Sequence, residues 1–178
     1  MSRFSLTYLG IFFLIISILS FFNILYSYYF NIFLNLNSYI YTLITSLIFG
    51  LTFLIKKKDV FKTTIYSKIL TVIIGYLILP LIISLPYYFS IYNVSFLNSY
   101  FEAISGFTST GFTIFDNIRY IDESLILWRS SSQWVGGLYF LFSIVLLIDI
   151  FDNNLKKSVT NFLSFDTSET LRQSFKMD

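Results

Sequence analysis

The sequence predicts an all-α integral membrane protein with about four transmembrane helices and one half-length helix and loop that dip into the membrane and return. Three observations carry that expectation. Of the 178 residues, 56% are apolar and only 12% charged, roughly half the charged share of about 25% in a soluble domain. The charges leave long gaps, with no Asp, Glu, Lys or Arg across residues 4–55, 69–101 or 130–148. Between the third and fourth expected spans lies a short helix-compatible run that ends in small polar residues. The chain has no Cys or His, which excludes disulfides, thiol redox chemistry, zinc sites and any histidine base. No paired acids, activated nucleophile or cofactor loop points to an enzyme. A net charge of +2 leaves no footprint for a nucleic acid.

A spanning helix needs about 20 apolar residues at about 1.5 Å each to cross about 30 Å of hydrocarbon. Residues 4–55 therefore hold two spans and a turn. Asn31, Asn35 and Asn37 mark the turn, and Tyr26, Tyr28, Tyr29, Tyr39 and Tyr41 flank it like an interfacial belt. The apolar run from Phe4 is too long for the h-region of a cleaved signal peptide. The expected spans are 4–30, 38–55, 64–89 and 124–151, with Pro80 and Pro86 kinking and ending the third. The chain divides into three segments: a helix hairpin over 1–58, a helix–loop–helix unit over 59–155 and a cytoplasmic tail over 156–178.

Orientation follows from Lys and Arg. A cytoplasmic N-terminus puts Arg3, Lys56, Lys57, Lys58, Lys62, Lys68, Lys156, Lys157, Arg172 and Lys176 inside and leaves only Arg119 and Arg129 outside. The expectation is a multi-pass protein of the plasma (inner) membrane with both termini cytoplasmic. Lys56-Lys57-Lys58 is first a topology signal and secondarily a lipid-headgroup contact.

Residues 93–125 are the informative segment. Phe96 to Ser105 is half of a span and is expected to end at Gly106. Thr108-Ser109-Thr110-Gly111-Phe112-Thr113 then offers an extended, Gly-bearing run. Non-helical backbone at membrane depth survives only where protein or water satisfies it. Such a run can aim backbone carbonyls and threonine hydroxyls at a weakly hydrated cation, with Gly111 supplying a positive φ. The alternative is a polar external loop that happens to be rich in Thr and Gly. Glu102 and Arg129 are placed to form an ion pair bracing the loop, the alternative being that each faces water. Gly136-Gly137 suggests close helix packing or a bend. Gly106 to Thr113 has phosphate-loop glycine spacing, but Phe112 stands where the lysine belongs, so nucleotide binding is not expected.

Ser99 to Thr113 resembles the first pore loop of the Trk/Ktr-type potassium transporter membrane subunits. Trp128-Arg129 and Gln133-Trp134-Val135-Gly136-Gly137 resemble that family's motif at the start of the helix after the filter, and Leu85-Pro86-Tyr87 looks like the end of its first repeat helix. The hairpin over residues 4–55 is similar to the extra helix pair of the Trk branch. The resemblance implies a potassium-channel-like fold of four non-identical helix–pore loop–helix repeats around one potassium path. Residues 64–151 would be the first repeat and Thr108 to Thr113 its potassium filter, supported by Glu102, Arg129, Gly136 and Gly137. It also implies a cytoplasmic nucleotide-binding regulatory partner, dimerisation and no cofactor besides the transported ion.

The resemblance calls for four repeats, and the sequence holds one. The expectation is therefore a fragment or split product, inactive alone, whose residues 166–176 lead toward a second repeat. The alternatives are a homotetrameric cation channel built from copies of the chain, and a non-transporting remnant or scaffold subunit.

Overall fold

The computed structural model describes residues 3–55, 65–118 and 121–151, with side chains described over 7–55, 66–118 and 121–146. The Lys56–Lys62 loop, Arg119 and the tail from residue 152 lie outside the described residues. Every element among the described residues is helical: α1 (Arg3–Tyr29), α2 (Leu36–Ile55), α3 (Ile65–Ile83), α4 (Leu85–Tyr88), α5 (Phe96–Phe107) and α6 (Glu123–Phe151). By length and apolarity three stretches can cross a membrane: Thr7–Tyr29, Leu36–Ile55 and Tyr66–Tyr88. The chain divides into two compact units, Met1–Phe142 and Ser143–Asp178. The first holds α1 to α5 and the greater part of α6.

α1 and α2 form an antiparallel hairpin. α1 closes with Asn31 in the left-handed region (φ 56°), while the amides of Asn31 and Ile32 return to the carbonyls of Tyr28 and Ser27. This is the bond pattern by which a left-handed residue caps a helix end, and Asn tolerates that conformation better than most residues. The facing sides are small and polar. On α2, Ser38, Thr42, Ser46 and Gly50 are buried at four-residue intervals, while Tyr41, Ile44, Leu47, Ile48, Phe49 and Leu51 point outward. Ser20 Oγ donates to the Tyr39 carbonyl at 2.7 Å. Small residues inside and large apolar residues outside is the arrangement of helices in lipid, where close backbone approach rather than hydrophobic burial drives association. It marks the hairpin as membrane-embedded.

α3 and α4 are one span with a fault. Pro80 sits inside α3, and Pro86, expected to end the helix, instead opens α4 in its first turn. Proline lacks an N–H and is best placed where a helix amide has no partner. The break therefore falls at Ser84, whose hydroxyl donates to the Leu81 carbonyl at 2.7 Å. α6 is pinned to this span by Trp128, whose indole N–H donates to the Ile83 carbonyl at 3.0 Å. The Tyr139 hydroxyl reaches the carbonyls of Thr71 and Val72, both at 3.1 Å. Below the end of α5, Phe107 meets Tyr76 edge-on at 5.6 Å and Tyr139 at 5.5 Å, a core of aromatic contacts.

Candidate functional site

α5 is twelve residues long. Its start is set by Ser95, whose side chain accepts from the Asn98 amide, a common N-cap bond. Tyr100 ties it to α3 by donating to the Leu77 carbonyl at 3.0 Å. The helix does not stop at Gly106, as the sequence suggested, but runs on to Phe107. Ser109 adopts φ 56°. The amides of Ser109 and Thr110 bond the carbonyls of Gly106 and Ser105 at 3.0 and 3.1 Å. The left-handed closing residue is thus a serine two positions beyond the helix, and Gly106 is needed for another reason. A Cβ there would overlap Ser132 Oγ on α6.

Residues 108–113 are all exposed in the chain. Thr108 Oγ1 donates to the Ile104 carbonyl at 2.7 Å. Thr110 Oγ1 lies 3.3 Å from the Ser105 carbonyl and 3.2 Å from its hydroxyl, and Thr113 Oγ1 donates to Glu102 Oε1 at 3.2 Å. The threonine hydroxyl protons are therefore turned back into the protein. The carbonyls of residues 108–112 divide into two groups. Those of Gly111 and Phe112 accept from Arg129 Nη2 at 3.3 and 3.2 Å, and Phe112 also accepts from Ser105 Oγ at 2.6 Å. Those of Thr108, Ser109 and Thr110 accept no hydrogen bond among the described residues. Gly111 has φ 81° with open space where a Cβ would stand, so its requirement is one of backbone conformation alone.

Glu102 and Arg129 meet behind this loop. Glu102 is fully buried and Arg129 is 11% exposed, with Nε 3.1 Å from Oε1. That N–H is not aligned on an acceptor, so the contact is one of charge. The other carboxylate oxygen takes the Ile114 amide at 2.9 Å. One buried acid thus holds the far end of the loop by a hydroxyl, an amide and a guanidinium, and hydrogen bonds to a charged group are the stronger kind. Gly136 and Gly137 are not equivalent. A Cβ on Gly136 would overlap the Phe107 carbonyl, while one on Gly137 meets nothing within 4 Å.

Two participants were not singled out from the sequence. Ser105 bonds both Thr110 and the Phe112 carbonyl, and Ser132 lies against Gly106. Neither carries a local signal, since their partners are set by the turn of the loop and the approach of α6.

Fold and site together define a helical membrane protein in which a short capped helix and a glycine-bearing loop are braced against a longer helix. No family model and no solved structure matches the chain. Three relatives do. An uncharacterized cation transporter of Methanocaldococcus jannaschii is 29% identical over 110 residues, 61% of this chain and 23% of that protein. The Trk system potassium uptake protein TrkI of Halomonas elongata is 38% identical over 60 residues, 34% of this chain and 11% of that protein. TrkG of Escherichia coli K12 is 35% identical over 46 residues, 26% and 10% of the two chains. The chain is a membrane protein distantly similar, over part of its length, to the Trk potassium uptake family. The matched stretches span less than a quarter of these relatives.

Proposed function

We propose that the chain supplies the first helix–pore loop–helix repeat of a potassium uptake transporter, with α5 as the re-entrant pore helix and residues 108–113 as one wall of the filter. The observation that carries this reading is the run of carbonyls without a protein hydrogen bond at the exposed residues Thr108, Ser109 and Thr110, flanked by the backbone closure of α5 and by the carbonyls that Arg129 holds. Backbone carbonyls that find no protein partner can replace water around a weakly hydrated cation. The names of TrkI and TrkG supply potassium as the ion. One row of oxygens coordinates an ion from one side only, so three further repeats, or copies of this one, complete the path. In this reading α6 is the fourth span, both termini are cytoplasmic and any nucleotide-binding regulatory subunit docks on that side. Uptake is then driven by the membrane potential, worth about 2.3 kcal/mol per charge per 100 mV.

The test is potassium uptake in cells that lack it. The chain alone is expected to give no growth at limiting potassium, and the chain joined to three complementary repeats is expected to restore it. Rescue by the chain alone, with four copies in the purified assembly, would replace this reading by a homotetrameric channel. Absence of uptake in every combination would leave a non-transporting scaffold.

A further inference from the structure

Asn35 opens α2 at the tip of the hairpin and is 2% exposed. Its Oδ1 accepts from the Ile91 amide at 3.1 Å, and its Nδ2 donates to Asp122 Oδ2 at 3.1 Å. Ile91 precedes α5, and Asp122 immediately precedes α6. Everything between these two residues is the segment that carries α5 and the loop 108–113. One side chain therefore grips both ends of the segment holding the site. A carboxamide suits this place because it offers an acceptor and donors on one short stem. Its orientation is fixed by its partners, an N–H on one side and a carboxylate on the other.

The surrounding bonds make the same closure. The Asp122 amide donates to the Tyr92 hydroxyl at 2.8 Å, joining the two ends directly. Ser124 Oγ donates to Asp122 Oδ2 at 2.6 Å and lies 2.9 Å from the Tyr39 hydroxyl. Asn23 Nδ2, on α1, donates to the Ser124 carbonyl at 3.2 Å. Both hairpin helices thus hold the start of α6, the helix that carries Arg129. Closing a long segment costs chain entropy, and these bonds supply a fixed closing point from outside the segment.

We propose that the α1–α2 hairpin is a positioning element of the transport site, with Asn35 as the residue that sets the span between the start of α5 and the start of α6. The proposal rests on the reading of residues 108–113 as the transport site, and the experiment separates the two. The chain has no cysteine, so Ser99→Cys, a near-isosteric change at a fully buried position on α5, is a clean reporter for an impermeant maleimide applied to the full chain in lipid vesicles. Asn35→Asp sets two carboxylates face to face. The exchange Asn35→Asp with Asp122→Asn restores complementarity, because a carboxylate at 35 still accepts from Ile91 while an amide at 122 donates to it and to Ser124 Oγ, whose own proton turns to the Tyr39 hydroxyl.

Asn35→Asp is expected to speed labelling of the reporter by roughly tenfold, in keeping with the loss of buried hydrogen bonds. The exchanged pair is expected to return it to the parent rate. If Asn35→Asp does not insert, insertion and protection in the exchanged pair alone carry the same conclusion. Unchanged labelling in Asn35→Asp, or failure of the exchanged pair to restore it, overturns the clamp. In the four-repeat assembly the same variants are read as the apparent KM for potassium, which rises with Asn35→Asp and recovers in the exchanged pair. Labelling that follows expectation while KM stays fixed overturns the transport site and leaves the clamp standing.

Discussion

The adjacent glycines of α6 give a test in which two chemically identical changes have opposite signs. A methyl on Gly136 would overlap the Phe107 carbonyl, a backbone atom that cannot rotate away. α6 and the end of α5 must then separate, and overpacking of this kind costs about 1–3 kcal/mol, occasionally more. The rigid partner puts Gly136→Ala at the top of that range. Replacing glycine by alanine inside a helix returns about 1 kcal/mol. The net expectation is a loss of about 2 kcal/mol, which lowers Tm by roughly 4–8 °C in a chain of this size. Gly137→Ala meets open space and keeps only the helix gain, so its Tm holds or rises. Thermal unfolding of the purified chain, followed through tryptophan emission, compares the two. Because Phe107 leads directly into residues 108–113, Gly136→Ala should also impair uptake in the complete assembly, whereas Gly137→Ala should not. Equal stability of the two variants would refute the close approach of α5 and α6.

Other substitutions address the loop itself. Glu102→Gln leaves the Arg129 guanidinium without its counter-charge beside two loop carbonyls. Breaking a buried pair by removing one partner costs about 3–5 kcal/mol, so lowered Tm and lost uptake are expected, and a stable, active variant would contradict the brace. Gly111→Ser introduces no clash but must hold φ near 81°, at about 1–2 kcal/mol, and should weaken potassium over sodium discrimination in uptake assays while insertion is unchanged. Thr110→Val removes a hydroxyl bonded to Ser105 and leaves the carbonyl in place, so its effect, about 1 kcal/mol for a hydrogen bond, should be milder than that of Gly111→Ser. Cysteines placed singly at Lys57 and Asn93 should react with an impermeant reagent from opposite sides of the membrane, and reaction of both from outside would refute the orientation.

The first three spans were legible because lipid imposes a one-dimensional rule: a crossing helix must be apolar for its whole length. The hairpin turn was legible because Asn31 has a local job, the left-handed closure of α1. The side of each helix that packs was not. In lipid the inward face is marked by small size and not by polarity contrast, so the stripe from Ser38 to Gly50 passes unnoticed beside a hydroxylated residue that faces outward, Thr52. Asn35 reads as one more turn residue, since its partners at Ile91 and Asp122 are distant in sequence.

The glycines show where reading by residue type stops. Gly111 is required by its own dihedral angle, and a Thr/Gly-rich run is enough to suspect that. Gly106 looked like a helix terminator because glycine often ends helices. Here Ser109 closes the helix and Gly106 makes room for Ser132 on α6. Gly136 yields to the carbonyl of Phe107, and Gly137 beside it yields to nothing. The same letter stands for a backbone angle, for two close approaches and for open space. Each close approach is set by α5 meeting α6, so the reason for the glycine lies on the other helix, and no window along one helix contains it. The loop's support divides along the same line. Glu102 and Arg129 are opposite charges at the edges of charge-free stretches, so their pairing could be expected, whereas Ser132 on α6 and Asn35 at the hairpin act through partners distant in sequence.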